Sequence, residues 1–237
     1  MAIEPAEGRP WVLLPGTLCS GRVFEPLLDR LGVPEAARHP VALRYPRVED
    51  YLDEVTTACV PGAVVCGFSL GAIVAAHLAD RLPSSAFLLF ALNPLADRPE
   101  ARAGRLDLAR EVGEVGGARA LAARLPALTG PSPDRTRAMI LDMAEVCSGL
   151  IEAQTELALT RPGALKTLAR TTAPISFLTG TGDTWAPLAL AETAAQATPA
   201  GRFVPLEGLG HYALVEDPDA CCAAVAHGFT LHQGMTE

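Results

Sequence analysis

The sequence of 237 residues predicts an α/β fold in which a mostly parallel six-stranded sheet carries helices on both faces and a helical insertion. Short apolar runs of strand length alternate with helical patterns, as is typical of parallel sheets buried on both faces. That alternation stops near residue 95 and resumes near residue 172, with almost only helical pattern in between. Hydrophobic residues make up 49% of the chain and charged residues 19%, a composition that excludes wholesale disorder.

Each element follows from a local pattern. The predicted strands are short apolar runs without charged residues, and they cover residues 11–14, 41–43, 63–66, 86–92, 175–178 and 203–206. The predicted core helices have apolar residues at helical spacing, and they cover residues 23–31, 48–59, 70–82, 188–196 and 217–229. Turn residues bound these elements: Pro15-Gly16 closes the first strand, and Pro83 ends the helix that begins at residue 70.

These boundaries divide the chain into two parts. Residues 1–94 and 172–237 are assigned to an α/β core, and residues 95–171 to an insertion between the fourth and fifth strands. Only about ten residues precede the first strand, which is too few for two further strands of about 5–6 residues each and a turn. We therefore expect a sheet of six strands.

Charge and hydropathy exclude two classes of partner. The chain has 19 basic and 27 acidic residues, a formal net charge of −8, and no basic cluster, so we expect no nucleic-acid partner. Residues 55–79 contain no charged residue and are long enough to cross a bilayer. Pro61-Gly62 and the glycines at 67 and 71 divide this run into a strand, a turn and a helix, so we expect no membrane partner.

The N-terminal residues indicate the cellular location of the protein, and the spacing of the cysteines indicates whether they could bind a metal. Residues 1–10 include Glu4, Glu7 and Arg9 and lack the apolar core of a signal peptide, which favours a cytoplasmic location. The six cysteines show no metal-ligand spacing, so we expect reduced, mostly buried thiols and no metal site.

The main chemical signal is the run Gly67-Phe68-Ser69-Leu70-Gly71 between a predicted strand and a predicted helix. A strand that turns sharply into a helix brings backbone segments together, so glycine is needed two positions either side of the central residue. Ser69 would then be exposed above the sheet at a helix N-terminus, whose free N–H groups favour a developing anion. The same run also fits a small-residue turn that only packs a helix on a strand.

A serine nucleophile needs a base and an orienting acid. His211 follows the last predicted strand in a glycine-rich loop, whereas His39, His77, His227 and His232 lie elsewhere. Asp183 follows the strand at residues 175–178, and the chain order Ser69, Asp183, His211 fits this type of fold. Asp183 also fits a turn aspartate that binds its own backbone, and Asp97 is a reserve candidate for the acid.

An oxyanion formed at Ser69 would need two N–H donors. The N–H of Leu70, directly after the serine, is the first candidate. The second is expected from the loop after the first strand, where either Leu18 or Thr17 could supply it, and we favour Leu18.

These segments together resemble the α/β-hydrolase superfamily over most of the chain. The matching segments are Leu13-Leu14-Pro15-Gly16-Thr17, where Pro15 replaces a frequent histidine, residues 67–71, residues 178–187, residues 208–211 with Glu216-Asp217-Pro218, and Gln154 with Arg161-Pro162. The resemblance implies a small acyl substrate, no cofactor, and a mobile helical lid like that of small esterases, lactonases and acyl-cleaving enzymes. The antiparallel strands that usually open this family have no room here.

The residues that would contact a substrate are less clearly marked. Thr17 and Phe68 adjoin the proposed oxyanion loop and serine, and Trp185 could form an aromatic wall. Within the lid, Met143 could line an apolar pocket and Gln154 could supply a polar contact, although helical spacing fits ordinary core or surface positions equally.

Three functions remain in competition at this point. The leading hypothesis is a serine hydrolase that cleaves a carboxylic ester, lactone or thioester through an acyl-enzyme on Ser69. The same triad could instead serve acyl transfer, cyclisation or lyase chemistry, and the scaffold could also serve as a non-catalytic binding protein. Both a monomer and a homodimer are compatible with the sequence.

Overall fold

The computed structural model describes residues 9–84 and 86–233, with side chains described as far as residue 226. Glu4, Glu7 and the side chains of His227 and His232 therefore lie outside the described residues. The strands are β1 (Trp11–Leu14), β2 (Arg38–Pro40), β3 (Val64–Phe68), β4 (Ala86–Phe90), β5 (Ile175–Gly180) and β6 (Gly201–Leu206). The helices are α1 (Glu25–Arg30), α2 (Leu52–Ala58), α3 (Leu70–Leu78), α4 (Ala101–Val115), α5 (Gly117–Ala122), α6 (Pro133–Val146), α7 (Ile151–Thr160), α8 (Leu165–Leu168), α9 (Leu188–Ala197), α10 (Ala213–Glu216) and α11 (Pro218–Gln233).

The six strands form one sheet in the order β2-β1-β3-β4-β5-β6, and every neighbouring pair is parallel. This confirms the predicted fold class and the strand number. Because side chains alternate along a strand, each strand feeds two cores, one on each face of the sheet. Leu13 and Cys66 point to the core shared with α1 and α11, whereas Leu14 and Val65 point to the core shared with α3.

The strand predicted at residues 41–43 is wrong in position. The ladder with β1 is formed by Arg38–Pro40, and only the N–H of Val41 still reaches the carbonyl of Leu13, at 2.9 Å. β2 is an edge strand, so it tolerates polar and partly exposed residues that a search for apolar runs passes over. Val41 and Leu43 are buried all the same, as the second core requires.

The uncharged run at residues 55–79 contains the end of α2, all of β3 and all of the buried helix α3. Among the described residues no helix is both long enough and apolar enough to cross a bilayer.

Five helices, α4 to α8, lie between β4 and β5, where the helical insertion was expected. α4 packs on α5 and α7, and α5 packs on α6, whereas α8 packs on α3 and α9. The carboxyl ends of β1, β3, β4 and β5 lie at one edge of the sheet, on the side where loops of parallel sheets build sites.

Candidate active site

Ser69 occupies a sharp turn between β3 and α3. Its backbone has φ 51° and ψ −114°, a conformation that side chains disfavour and that occurs at functional sites. A Cβ on Gly67 would lie 2.6 Å from the Cα of Ala72, and one on Gly71 would lie 2.0 Å from the carbonyl oxygen of Leu14. Glycine is therefore required on both sides of Ser69, as the sequence pattern predicts.

Ser69, His211 and Asp183 form one continuous hydrogen-bonded chain. The Oγ of Ser69 lies 3.1 Å from Nε2 of His211, and Nδ1 of His211 lies 2.8 Å from Oδ2 of Asp183. A carboxylate at Nδ1 favours the tautomer with its proton on that nitrogen, which leaves Nε2 free to accept the hydroxyl proton of Ser69. This geometry suits a serine activated by a base that an acid orients.

Asp183 is fixed by the turn in which it lies. Its Oδ1 accepts the N–H groups of Trp185 at 2.8 Å and Ala186 at 2.9 Å, while Oδ2 faces His211. The side chain has no exposed area. Asp183 therefore contacts both its own turn and the histidine, because one carboxylate oxygen accepts backbone N–H groups of the turn and the other faces His211.

The loop that carries His211 is held against the loop that carries Asp183. The N–H of Gly182 donates to the carbonyl of Leu209 at 2.9 Å, and a Cβ on Gly180 would lie 2.2 Å from that same oxygen. Glu216, nearly fully buried, accepts the N–H groups of Gly210 at 2.8 Å and Tyr212 at 3.0 Å, one on each side of His211.

Aromatic rings enclose the imidazole of His211. The ring centroids of Trp185, Phe68 and Tyr212 lie 4.9, 5.2 and 5.4 Å from its own. Burial raises the pKa of the Tyr212 hydroxyl well above its usual value, so that group stays protonated. These rings restrict the imidazole to the plane in which it meets both neighbours.

Among the described residues, His77, Asp97 and the buried thiol of Cys19 lie outside this hydrogen-bonded chain. Nε2 of His77 contacts the carbonyl of Pro162 at 2.9 Å, and burial lowers the pKa of this histidine. Asp97 binds Arg105 and Arg161 rather than a histidine. Burial raises the pKa of the Cys19 thiol, which favours the unreactive protonated form.

The expected oxyanion donors differ in their surroundings. In the described part of the chain, the N–H groups of Leu70 and Thr17 have no protein acceptor. The N–H of Leu18, by contrast, donates to Oε1 of the fully buried Gln154 at 2.9 Å. Because this bond occupies the Leu18 donor, the preference for Leu18 over Thr17 is not supported by the geometry.

Comparison with known proteins identifies the family. The model of the alpha/beta hydrolase family matches residues 6–224. The chain belongs to the alpha/beta hydrolase family. Comparison with curated protein sequences gives no match.

Several solved structures share this alpha/beta hydrolase fold. An esterase from Thermogutta terrifontis, described with malate bound, is 22% identical with a TM-score of 0.77, over 94% of this chain and 90% of the other. An enol-lactonase from Burkholderia xenovorans is also 22% identical with a TM-score of 0.77, over 94% and 92%. The esterase RhEst1 from Rhodococcus is 20% identical with a TM-score of 0.73, over 95% and 91%. At these identities the likeness concerns the fold.

A cavity of about 550 Å³ opens beside Ser69 in this alpha/beta hydrolase chain. The sheet edge contributes Thr17, Phe68 and Trp185 to its wall, so these three candidates lie where a substrate could reach them. Met143 and Gln154 do not line it, contrary to expectation. Met143, in α6, is fully buried in the hydrophobic core. The side chain of Gln154 accepts the backbone N–H of Leu18.

The sequence analysis missed the part of the cavity wall that the insertion supplies. Arg105 and Leu108 come from α4, Leu121 from α5, and Arg124 and Arg161 follow α5 and α7. An arginine in a helical segment is usually exposed, so its identity alone could not mark these positions. Elsewhere in the described residues, no group of three or more histidine, cysteine, aspartate or glutamate side chains could hold a metal ion.

Proposed function

We propose that this protein is a serine hydrolase that cleaves a carboxylic ester, lactone or thioester through an acyl-enzyme on Ser69. The observation that carries the proposal is the continuous chain from Ser69 Oγ through both nitrogens of His211 to Asp183, at 3.1 and 2.8 Å. Its position beside a cavity of about 550 Å³ gives a small acyl substrate access to the serine.

In the first half of the reaction, Nε2 of His211 takes the proton of Ser69 Oγ while that oxygen bonds to the acyl carbon. The charge that develops on the carbonyl oxygen requires donors preorganised before the substrate arrives. We assign them to the N–H of Leu70, at the start of α3, and the N–H of Thr17. His211 then gives its proton to the leaving alcohol or thiol as the bond to the acyl carbon breaks.

Water completes the reaction. His211 removes a proton from water, the hydroxide oxygen bonds to the acyl carbon, and the bond to Ser69 Oγ breaks as the serine regains its proton. An ester or thioester gives a carboxylic acid and the alcohol or thiol released earlier, whereas a lactone gives one hydroxy acid. Asp183 stays ionised throughout and stabilises the imidazolium that forms twice in the cycle.

Residues 95–171 would act as a lid in this scheme. Four of the helices in this segment pack on one another, and the segment supplies one whole side of the cavity wall, from Ala101 to Arg161. Its opening would admit substrate, and its closure would exclude bulk water from the developing oxyanion.

The test is hydrolysis of p-nitrophenyl esters, a lactone and an acyl-thioester by the wild type, Ser69→Ala and Asp183→Asn, with labelling by a fluorophosphonate. Ser69→Ala should abolish labelling and lower kcat by roughly 10⁴- to 10⁶-fold, and Asp183→Asn should lower it by on the order of 10⁴-fold. Ser132→Ala, an exposed serine ahead of α6, is the matched control and should behave as wild type. A wild type that neither reacts with the probe nor cleaves any of these substrates would refute the proposal.

A further inference from the structure

The cavity beside Ser69 has an unusual distribution of charge. Three arginines, Arg105, Arg124 and Arg161, line it, and none of the described residues in its wall is acidic. The chain as a whole has more acidic than basic residues and a net charge of −8. A positive wall in a negative protein concentrates anions at that point rather than everywhere on the surface.

The three arginines do not each have an acidic partner of their own. Asp97 receives a two-pronged contact from Arg105, at 2.8 and 2.7 Å, and also faces Nη1 of Arg161 at 3.4 Å. Two guanidinium groups thus share one carboxylate, which leaves one positive charge unbalanced. Arg124 has its own partner in Glu111.

The pKa shifts agree with this imbalance. Burial lowers the pKa of Arg161, and the nearby charge of Arg105 lowers it further. Burial alone would raise the pKa of Asp97, but hydrogen bonds and charges from Arg105 and Arg161 outweigh it and hold the pKa below its usual value. Arg105 and Arg161 thus share the one anionic partner Asp97.

Arg161 itself has unused donors. Its side chain is only 1% exposed, and Nη1 binds the carbonyl of Ala158 as well as Asp97. Nε and Nη2 have no protein acceptor among the described residues, and because both are closed off from solvent, a ligand in the cavity would reach them only after a shift of the Arg161 side chain. The same Nε and Nη2 pair of Arg105 binds both oxygens of Asp97, so the free edge of Arg161 has the shape that accepts a carboxylate.

We propose that the cavity binds an acyl substrate that carries a carboxylate, held by Arg105 and Arg161 while Ser69 attacks the ester carbonyl. This inference rests on the hydrolase function proposed above. The remaining wall includes Ile73, Leu108 and Leu121, which suit a short hydrocarbon linking the two ends of the substrate. Hydrolysis of such a half-ester with one water gives a dicarboxylate, an alcohol and a proton.

The test compares substrates of equal carbon number with and without the carboxylate. p-Nitrophenyl monoesters of succinic, glutaric and adipic acids are paired with p-nitrophenyl butyrate, pentanoate and hexanoate. A further pair, 3-carboxy-4-nitrophenyl butyrate and 4-nitrophenyl butyrate, places the charge on the leaving group instead. Ser69→Ala reports the background from intramolecular cleavage of the monoesters.

We expect the wild type to prefer the charged member of at least one pair by about tenfold or more in kcat/KM. Arg105→Gln and Arg161→Gln should lower that ratio by about 10- to 100-fold, the effect of a lost charge-assisted hydrogen bond. The change should fall mainly on KM, because a carboxylate remote from the reacting carbon binds equally in ground and transition states. Arg110→Gln, an exposed arginine on the same helix α4, is the matched control and should keep the wild-type ratio.

A structural role for these arginines gives a different result. Arg161 also borders a smaller cavity with Glu49 and Glu156 in its wall. If Arg161 had only a structural role, Arg161→Gln would lower the stability of the protein without altering the ratio of kcat/KM between charged and uncharged substrates. Equal rates within every pair, with an unchanged ratio in Arg105→Gln, would overturn the inference while leaving the hydrolase function intact. If the wild type cleaves no ester, calorimetry with glutarate and butyrate decides: binding of glutarate that Arg105→Gln weakens supports the anion site, and no difference overturns it.

Discussion

The buried carboxylate of Glu216 gives the sharpest test of how His211 is held in place. Its Oε2 accepts the N–H of Gly210 at 2.8 Å, the N–H of Thr129 at 3.2 Å and the hydroxyl of Thr129, and its Oε1 accepts the N–H of Tyr212 at 3.0 Å. Thr129 lies between α5 and α6, so this one side chain joins the insertion to the histidine loop. We predict that Glu216→Gln destabilises the protein and slows catalysis.

The magnitude follows from counting acceptors. A glutamine keeps one carbonyl oxygen, and the better orientation places it at Oε2, where it retains Gly210 and Thr129. The amide NH₂ then faces the N–H of Tyr212, which loses a bond to a charged acceptor at a cost of about 1.5–3 kcal/mol. Glu216→Ala would leave the N–H groups of Thr129, Gly210 and Tyr212 without their acceptor, a loss comparable with a typical total stability of about 5–15 kcal/mol.

Urea unfolding followed by circular dichroism measures the stability change, and hydrolysis of a p-nitrophenyl ester measures the rate. We expect kcat to fall by about 10- to 100-fold, because Tyr212, the residue directly after His211, loses its acceptor and small misplacements of the imidazole are costly. Glu207→Gln, exposed in the same segment between β6 and α10, should change neither quantity. A loss below about 0.5 kcal/mol in Glu216→Gln with an unchanged rate would show that Glu216 does not position the loop.

Two further predictions concern the elbow and the response to pH. Gly71→Ala should destabilise the protein by at least about 3 kcal/mol in urea unfolding, because its Cβ would lie 2.0 Å from the oxygen of Leu14. Gly113→Ala in α4 meets nothing within 4 Å and should instead stabilise by about 0.5–1 kcal/mol; equal effects of the two changes would contradict the steric argument. Burial lowers the pKa of His77 from 6.5, so the unfolded chain binds more protons than the folded one as pH falls below that value, and stability is lost. The stability advantage of wild type over His77→Gln should therefore shrink between pH 7.5 and 5.5, and an advantage that stays constant or grows on acidification would refute this assignment.

The sequence was most informative where backbone sterics and chain order act together. Gly67 and Gly71 are required by contacts with α3 and with the end of β1, so their spacing around Ser69 predicts the turn itself. Asp183 and His211 were found because each follows a strand of a parallel sheet, and the carboxyl ends of such strands share one edge.

The insertion was much less readable, since helical spacing fixes neither the rotation of a helix nor its partner. Met143 and Gln154 were expected at the cavity, yet one packs in the core and the other binds the N–H of Leu18 from 136 positions away. Arg161 owes its position to Asp97, 64 positions earlier in the chain. Contacts over such separations leave no local pattern, so the cavity wall that the insertion supplies was the part that sequence reasoning missed.

Three strained residues beside the cavity show how the sheet holds the turn that carries Ser69. Among the described residues, the non-glycine residues with positive φ are Leu18, Ser69 and Ala91, which follow β1, β3 and β4 and all line the cavity. Each such conformation costs about 1–2 kcal/mol and persists only when its surroundings enforce it. Here the N–H of Ser69 donates to the carbonyl of Phe90 in β4, and the N–H of Ala91 donates to that of Leu178 in β5, both at 2.9 Å. The turns at Ser69 and Ala91 are thus held by the next strand of the sheet, whereas the N–H of Leu18 donates to Gln154 of α7. The backbone of Ser69 is therefore fixed by the sheet.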